Sequence, residues 1–231
     1  KLHAQFNRLP RFYWNTIDDV PFDDGIYIVF QEGEKYHNFD RVVRIGTHRA
    51  EGRLKGRLKD HFLRENKDGS IFRKNIGRAL LNLNQHHYLQ AWNQDTSKAG
   101  VVEQMGSAYN PSFQKEVERR ISIFLRERFS FVCIPVADIY ERQRLEEGII
   151  ATFNSTPDFG PSRNWSGKYS PESEIRQSGM WLKKGLYGTP LSESEFSKIE
   201  SYCTDSKLVS DKLKKPEACR SENVCVAKTV K

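Results

Sequence analysis

The chain has 231 residues, with 37 lysines and arginines against 30 acidic residues and a formal net charge of +7. This length suits one domain of about 150 residues with extensions, and the basic balance favours a polyanionic partner over an acidic small molecule. No run approaches the ~18 apolar residues of a membrane span, and the amino end lacks an apolar signal-peptide core. We therefore expect a soluble, cytoplasmic protein without a membrane partner.

The amino-terminal residues 1–19 are too aromatic for a free tail, since they include Phe6, Phe12, Tyr13 and Trp14. They are predicted to pack on the domain as an arm. The following stretch, residues 18–24, is acidic and contains Pro21, which favours an irregular approach to the first strand.

A hairpin and a basic helix follow. Residues 25–30 and 41–47 are rich in β-branched and aromatic side chains, and a polar turn containing Gly33 separates them, which predicts an antiparallel hairpin. Residues 51–62 have a helical period with an apolar face and an adjacent polar face. The apolar face carries Leu54, Leu58 and Phe62, and the polar face carries Arg53, Arg57 and His61.

The middle of the chain predicts two further helices and a strand. Ser70 is placed to cap a helix whose polar side carries Arg73, Lys74 and Arg78. Residues 84–109 are polar without a clear period, which indicates an insertion or long loop. A helix with one apolar stripe follows Pro111, and residues 129–136 have the composition of a buried third strand.

The four cysteines include no Cys-x-x-Cys pair. Cys133 lies in an apolar run and is predicted to be a buried core residue. Cys203, Cys219 and Cys225 have a spacing that matches no standard zinc module, which argues against a zinc site.

The helix predicted for residues 141–154 carries an unusual carboxylate. Glu146 falls within the arc of Leu145, Ile149 and Ile150, whereas Glu147 points away from it. A carboxylate at the edge of a core costs several kcal/mol unless it meets a cation or hydrogen-bond donors. Glu146 is therefore either a functional ligand or a glutamate on the flank of a helix, paired with a structural arginine or partly exposed.

Three motifs resemble the GIY-YIG nucleases: Gly25-Ile26-Tyr27, Arg44-Ile45-Gly46 and Arg57-x-x-x-His61. The second triplet departs from the family pattern, because Arg44 stands where the family has tyrosine. The segment around Glu146 is similar to the family helix whose single glutamate binds a divalent metal. The proline-rich loop 157–165 resembles the segment that carries a family asparagine, which points to Asn164, with Asn154 as the alternative.

The resemblance implies an α/β (α+β) fold, with a small antiparallel or mixed three-stranded sheet flanked by helices. The nuclease domain would cover residues 20–168 and include the insertion 84–109. Residues 1–19 would form the amino-terminal arm. Residues 169–231 would be a carboxyl-terminal extension whose end, from about residue 204, is a flexible tail or a weakly held appendage.

The resemblance also implies roles for these residues. Glu146 would bind a divalent metal, Mg²⁺ in the first place with Mn²⁺ able to substitute. Tyr27 would orient or deprotonate the attacking water, helped by a cation from Arg44 or Arg57. Arg57 would clamp the scissile phosphate and His61 would hydrogen-bond the water or the phosphate. Apart from the resemblance, the basic helix faces predict that Arg53, Arg73, Lys74 and Arg78 hold the nucleic acid.

The predicted function is metal-dependent cleavage of double-stranded DNA, in the manner of a site-specific restriction enzyme. Two other interpretations stay open: a DNA-binding module that kept the fold without catalysis, and an RNA-binding or RNA-processing protein, which basic charge and aromatic side chains also permit. The sequence does not distinguish a monomer from a homodimer, and it does not identify a recognition sequence.

Overall fold

A computed structural model of the chain describes residues 1–214. Its centre is an antiparallel sheet of three strands: β1 (Gly25–Tyr36), β2 (Phe39–Gly46) and β3 (Phe129–Pro135), in the order β2-β1-β3. Helices cover both faces of this sheet, which confirms the predicted fold class.

Nine α-helices lie within the described residues. They are α1 (Leu2–Asn7), α2 (Leu54–Phe62), α3 (Ile71–Leu83), α4 (Leu89–Asn93), α5 (Val101–Met105), α6 (Pro111–Arg128), α7 (Ile139–Ser155), α8 (Ser173–Ser178) and α9 (Glu193–Lys214). Short 3-10 helices occur at Trp14–Asp19, Gly106–Ala108 and Ser166–Tyr169. No helix in residues 1–214 combines the length and apolar character needed to cross a bilayer.

The hairpin is longer than the sequence predicts. Its strands continue past Gly33 and turn at residues 37–38. Gly33 instead lies within β1 with a φ of +83°, a conformation that glycine adopts at little cost. Register shifts between Phe30 and Lys35 absorb the irregularity. A polar, glycine-containing stretch therefore marks a bulged strand here and not the turn itself.

The alternating side chains of the sheet divide the core in two. One face, including Tyr27, Val29 and Phe131, packs against α2, α3 and α6. The opposite face, including Ile28 and Val132, packs against α1, α7 and α9. The amino-terminal arm is part of this packing, with Leu2 and Phe6 of α1 buried in the second core and Phe12 bridging to β3.

The stretch predicted as an insertion or long loop contains α4 and α5 and is fixed to the first core. Trp92 is fully buried, and its indole nitrogen donates to the Lys74 carbonyl at 2.9 Å. A methyl group on Gly77 would overlap the Trp92 ring, so glycine at this position of α3 is what admits the tryptophan.

Residues beyond 168 pack against the sheet and the preceding segments. The backbone of Trp181 donates to the Val43 carbonyl at 2.7 Å, beside strand β2, and the Trp165 and Trp181 rings lie 4.8 Å apart. Helix α9 runs to Lys214, and Ser206 on it donates to the Cys133 carbonyl at 2.9 Å. The predicted tail is therefore helical from residue 204 to residue 214, and positions 215–231, with Cys219 and Cys225, lie outside the described residues.

Candidate active site

Tyr27 and His61 form a buried hydrogen-bonded pair beside Gly46. The Tyr27 hydroxyl lies 2.7 Å from His61 Nε2, and His61 Nδ1 lies 2.7 Å from the Ser70 hydroxyl. Tyr27 on β1 is paired with Gly46 on β2, and a methyl group on Gly46 would overlap the phenol oxygen. The glycine of the second triplet therefore leaves the space in which the tyrosine hydroxyl reaches α2.

His61 is held in its neutral form. Burial, and then the neighbouring guanidiniums of Arg44, Arg57 and Arg73, hold the pKa of His61 well below its usual value of 6.5. A neutral imidazole has one donor and one acceptor nitrogen. When Nδ1 donates to Ser70, Nε2 accepts from the Tyr27 hydroxyl and fixes the direction of that O–H bond.

Arg44 faces the same side of the sheet as Tyr27, because its cross-strand partner on β1 is Val29. Its guanidinium is buried, donates from Nη1 to the Trp181 carbonyl at 2.7 Å and lies 4.9 Å from the centre of the Phe72 ring. Its Nε is buried and has no hydrogen-bond partner among the described side chains and backbone. A buried cation with unpaired donors suits an anionic ligand.

The two arginines of α2 have different surroundings. Arg57 lines the same cavity as Tyr27, and its Nη1 donates to the Gly69 carbonyl at 2.7 Å. Arg53 lies outside that cavity, pairs with Asp60 at 3.2 Å and leaves 48% of its side chain exposed. Helix geometry places both on one face, but the loop that precedes α3 orients only Arg57 toward Tyr27.

Glu146 projects from α7 into the same cavity and is half-buried, whereas Glu147 is exposed at the rim. Burial raises the pKa of the Glu146 carboxyl, while Arg44, Lys184, the Thr47 backbone and Arg57 act in the opposite direction. This is the pattern expected of a carboxylate that is withdrawn from water and faces cations.

Tyr27, Arg44, Arg57 and Glu146 share one cavity of about 570 Å³, and His61 lies behind Tyr27 outside the cavity lining. It opens between the end of the β1–β2 hairpin, helices α2, α3 and α7, and the segment that follows Trp181. The site residues that line it are Tyr27, Arg44, Arg57, Asn75, Glu146 and Lys184. One phenol, the half-buried Glu146 carboxylate, the Glu147 carboxylate at the rim and several cations surround a cavity of a size that can bind a phosphate and a water molecule together.

The family model described as GIY-YIG domain matches residues 13–200. The chain belongs to the GIY-YIG family. The family consists generally of endonucleases that act on DNA and use divalent metals. The match extends beyond residue 168, the predicted end of the nuclease domain, and includes the segment that places Lys184 at the cavity. No curated protein and no solved structure matched the chain in the corresponding comparisons.

The donor set of this GIY-YIG chain fits a weakly held hard cation. No group of three or more His, Cys, Asp or Glu among the described side chains, those of residues 1–207, is arranged to hold a metal. Glu146 is a single carboxylate with cations nearby, so a metal there needs water and phosphate oxygens for its remaining ligands. Mg²⁺ has that preference, and a bound phosphate would also offset the neighbouring positive charge.

Three of the predicted nucleic-acid contacts need correction, since their charges are used inside the protein. Arg73 is fully buried and its guanidinium binds Glu118, Ser122 and the His61 carbonyl. Lys74 binds Asp68 at 3.0 Å and the Gln94 carbonyl at 3.1 Å. Neither side chain is available to a phosphate on the protein surface.

Arg78 is the third of these residues, and only 14% of its side chain is exposed. It donates to Asn93 at 2.7 Å and to Asn75 at 2.9 Å, and it lies 3.5 Å from a Glu172 oxygen. The helical period of α3 correctly predicts a polar side. It does not show that this side is covered by α4, α6 and the carboxyl-terminal segment.

The structure does not bring Asn164 to the cavity. Asn164 is exposed and lines a separate depression beside Gln31 and Glu34. The alternative, Asn154, donates to the Leu186 carbonyl at 2.9 Å and also lies outside the cavity lining. The asparagine that does line it is Asn75 on α3, a residue that no motif in the sequence marked.

Proposed function

We propose that this protein is a metal-dependent endonuclease that hydrolyses phosphodiester bonds of double-stranded DNA in the manner of a site-specific restriction enzyme. The observation that carries this proposal is the convergence of the Tyr27 hydroxyl, the Arg57 guanidinium and the Glu146 carboxylate on one cavity. Hydrolysis needs an oriented water, donors for the phosphate oxygens and stabilisation of the leaving oxygen. Each of these tasks has a candidate side chain in the cavity.

Tyr27 orients the water in this mechanism. When His61 Nδ1 donates to Ser70, the Tyr27 O–H bond is directed to His61 Nε2, and the lone pairs of the phenol oxygen remain for a hydrogen atom of the water. Because the pKa of His61 is lowered, its imidazole is neutral and can accept a hydrogen bond from the phenol instead of taking up a proton.

Arg57 and Arg44 hold the phosphate. The planar donors of a guanidinium match two phosphate oxygens, and such charge-assisted pairs are the stronger hydrogen bonds in proteins. Arg57 is fixed at one end by the Gly69 carbonyl, and Arg44 is fixed by the Trp181 carbonyl while its Nε stays unpaired among the described residues. Both cations are thus oriented before the substrate arrives, which lowers the reorganisation cost.

Glu146 would hold the metal, with Mn²⁺ able to replace Mg²⁺. The bound ion would supply positive charge to the phosphate and to the leaving oxygen. The chain contributes the Glu146 carboxylate in its ionised form. Because the pKa of this carboxyl is raised, Glu146 should become protonated at a higher pH than an ordinary glutamate. Of the two neighbouring glutamates, the half-buried Glu146 is the ligand in this proposal and Glu147 is not.

The test is cleavage of labelled nucleic acids by the purified chain. Duplex DNA, single-stranded DNA and RNA are incubated with Mg²⁺, with Mn²⁺ or with excess chelator, and a Glu146→Gln preparation made in parallel controls for contaminating nuclease. We expect cleavage of duplex DNA that requires metal and Glu146, and discrete fragments from a plasmid. DNA binding without cleavage would instead support a non-catalytic module, and cleavage of RNA alone would support an RNA-processing enzyme.

A further inference from the structure

Asn75 is a buried polar side chain in the cavity with unused donors. It is 1% exposed, lies on α3 and lines the cavity together with Tyr27 and Arg57. Its oxygen accepts from Arg78 Nη1 at 2.9 Å, whereas its amide nitrogen makes no hydrogen bond to the described side chains or backbone. This nitrogen is not one of the fully buried unpaired atoms, so its hydrogens are open to the cavity and available to a ligand.

The orientation of the Asn75 amide follows from chemistry. A guanidinium only donates, so the Asn75 atom that faces Arg78 is the oxygen, and the NH₂ group takes the other side. Arg78 is itself fixed, because its Nε donates to Asn93 at 2.7 Å and Glu172 lies 3.5 Å from its Nη1. The Asn75 oxygen is therefore hydrogen-bonded to Arg78, and the N–H groups of Asn75 remain available to a ligand.

The ligand that these donors suit is an anion. The Asn75 oxygen already faces a cation, which disfavours a metal ion at this position. The cations that line the same cavity, among them Arg44, Arg57 and Lys184, outnumber its two carboxylates, Glu146 and Glu147, and so favour phosphate. Neutral donors beside such cations fit the non-bridging oxygens of a phosphodiester.

We propose that Asn75 donates an amide hydrogen to a non-bridging oxygen of the scissile phosphate, and that Arg78 is the positioning residue that fixes the amide. The proposal rests on the proposed function, because it concerns the substrate of the same site. It also gives Arg78 a role in the reaction, although this arginine does not itself reach the phosphate.

Two measurements test the proposal. In single-turnover cleavage of duplex DNA, Asn75→Asp keeps an oxygen for Arg78 but loses the donors, so the rate should fall at least about 100-fold, the scale for removing one preorganised donor. Asn82→Asp on the same helix is the matched control, since the Asn82 amide donates to the Tyr169 carbonyl and lies outside the cavity. This control should cut within about twofold of the unchanged protein.

The second measurement does not depend on cleavage. Inorganic phosphate is titrated into ¹⁵N-labelled protein, and the side-chain amide signals of asparagine are followed, with assignment by loss of a signal in each variant. The Asn75 signals should shift with phosphate and the Asn82 signals should stay. If the protein cuts no nucleic acid, the proposed function fails while this titration still decides whether Asn75 binds phosphate.

Arg78→Ala separates positioning from a merely structural role. Without Arg78 the Asn75 amide can rotate, so turnover should fall at saturating DNA, and the double variant Asn75→Asp, Arg78→Ala should be no slower than Asn75→Asp alone. If the rate reductions of the two single variants multiply in the double variant, the two residues act independently. Equal cleavage rates of Asn75→Asp and the unchanged protein would overturn the proposal. Thermal melting of each variant identifies any that has failed to fold.

Discussion

A comparison of Arg57→Lys with Arg53→Lys tests which of these two arginines contacts the scissile phosphate. Both arginines lie on one face of α2, but only Arg57 lines the cavity and is held by the Gly69 carbonyl at 2.7 Å. Lysine keeps the positive charge at either position. It loses the planar set of donors and, at residue 57, the hydrogen bond that fixes the guanidinium.

The expected size of the defect follows from these contacts. A guanidinium fixed at one end and aimed at the phosphate resembles a preorganised transition-state donor, whose loss costs about 2.7–4 kcal/mol or roughly 10²–10³ in rate. Arg57→Lys should therefore slow the chemical step by that factor. Arg53 is 48% exposed and pairs with Asp60 on the surface, so Arg53→Lys should change little beyond the salt dependence of binding.

The assay is single-turnover cleavage with each variant in excess over labelled duplex DNA, at concentrations that saturate binding. Saturation separates the chemical step from affinity. A larger defect in Arg53→Lys than in Arg57→Lys would refute the geometry argued above, because it would move the phosphate contact one turn back along α2 and detach His61 from the site.

Four other outcomes are expected. Glu146→Gln should abolish metal-dependent cleavage while DNA affinity stays within a few fold, since arginine and lysine contacts dominate affinity. Glu147→Gln should retain most activity, and equal cleavage by the two variants would contradict the assignment of Glu146. Tyr27→Phe should melt normally and cut at least ~100-fold more slowly, and near-normal turnover would make Tyr27 a packing residue. Gly46→Ala should displace the Tyr27 hydroxyl, costing about 1–3 kcal/mol in urea unfolding together with most activity, so full activity would remove Gly46 from the site. Because the folded state disfavours protonated His61, the free energy of unfolding should fall as the pH drops below 6.5. Urea titrations should show a steeper fall for the unchanged protein than for His61→Gln, by up to about 1.4 kcal/mol per pH unit.

Local sequence patterns predict much of the framework. The β-branched segments beside Tyr27 predict a hairpin, the four-residue spacing of Arg57 and His61 predicts their common helix face, and the arc around Glu146 predicts a half-buried carboxylate. The Ser70 cap is also observed, since its hydroxyl accepts from the Arg73 amide at 3.3 Å. Each of these features depends on residues close together in the chain.

The errors occur where distant segments meet. Arg73 belongs to the polar side of α3 by its period, yet Glu118 on α6 takes up its charge. Asn164 lies near Glu146 in the chain but lines a different depression, whereas Asn75 is far from Glu146 in the chain and shares its cavity. A helical wheel gives the direction of a side chain and cannot give the element that packs against it.

The sequence by itself determined the family, the strand that carries Tyr27 and the helices that carry Arg57 and Glu146, because motif spacing and periodicity are local properties. Only the tertiary structure decided which polar groups are available at the cavity. Burial and pairing depend on contacts across the whole chain, such as those of Arg44 with Trp181 and of Arg78 with Asn75. A charge withdrawn from water must find a partner, and the fold determines whether that partner is protein or substrate.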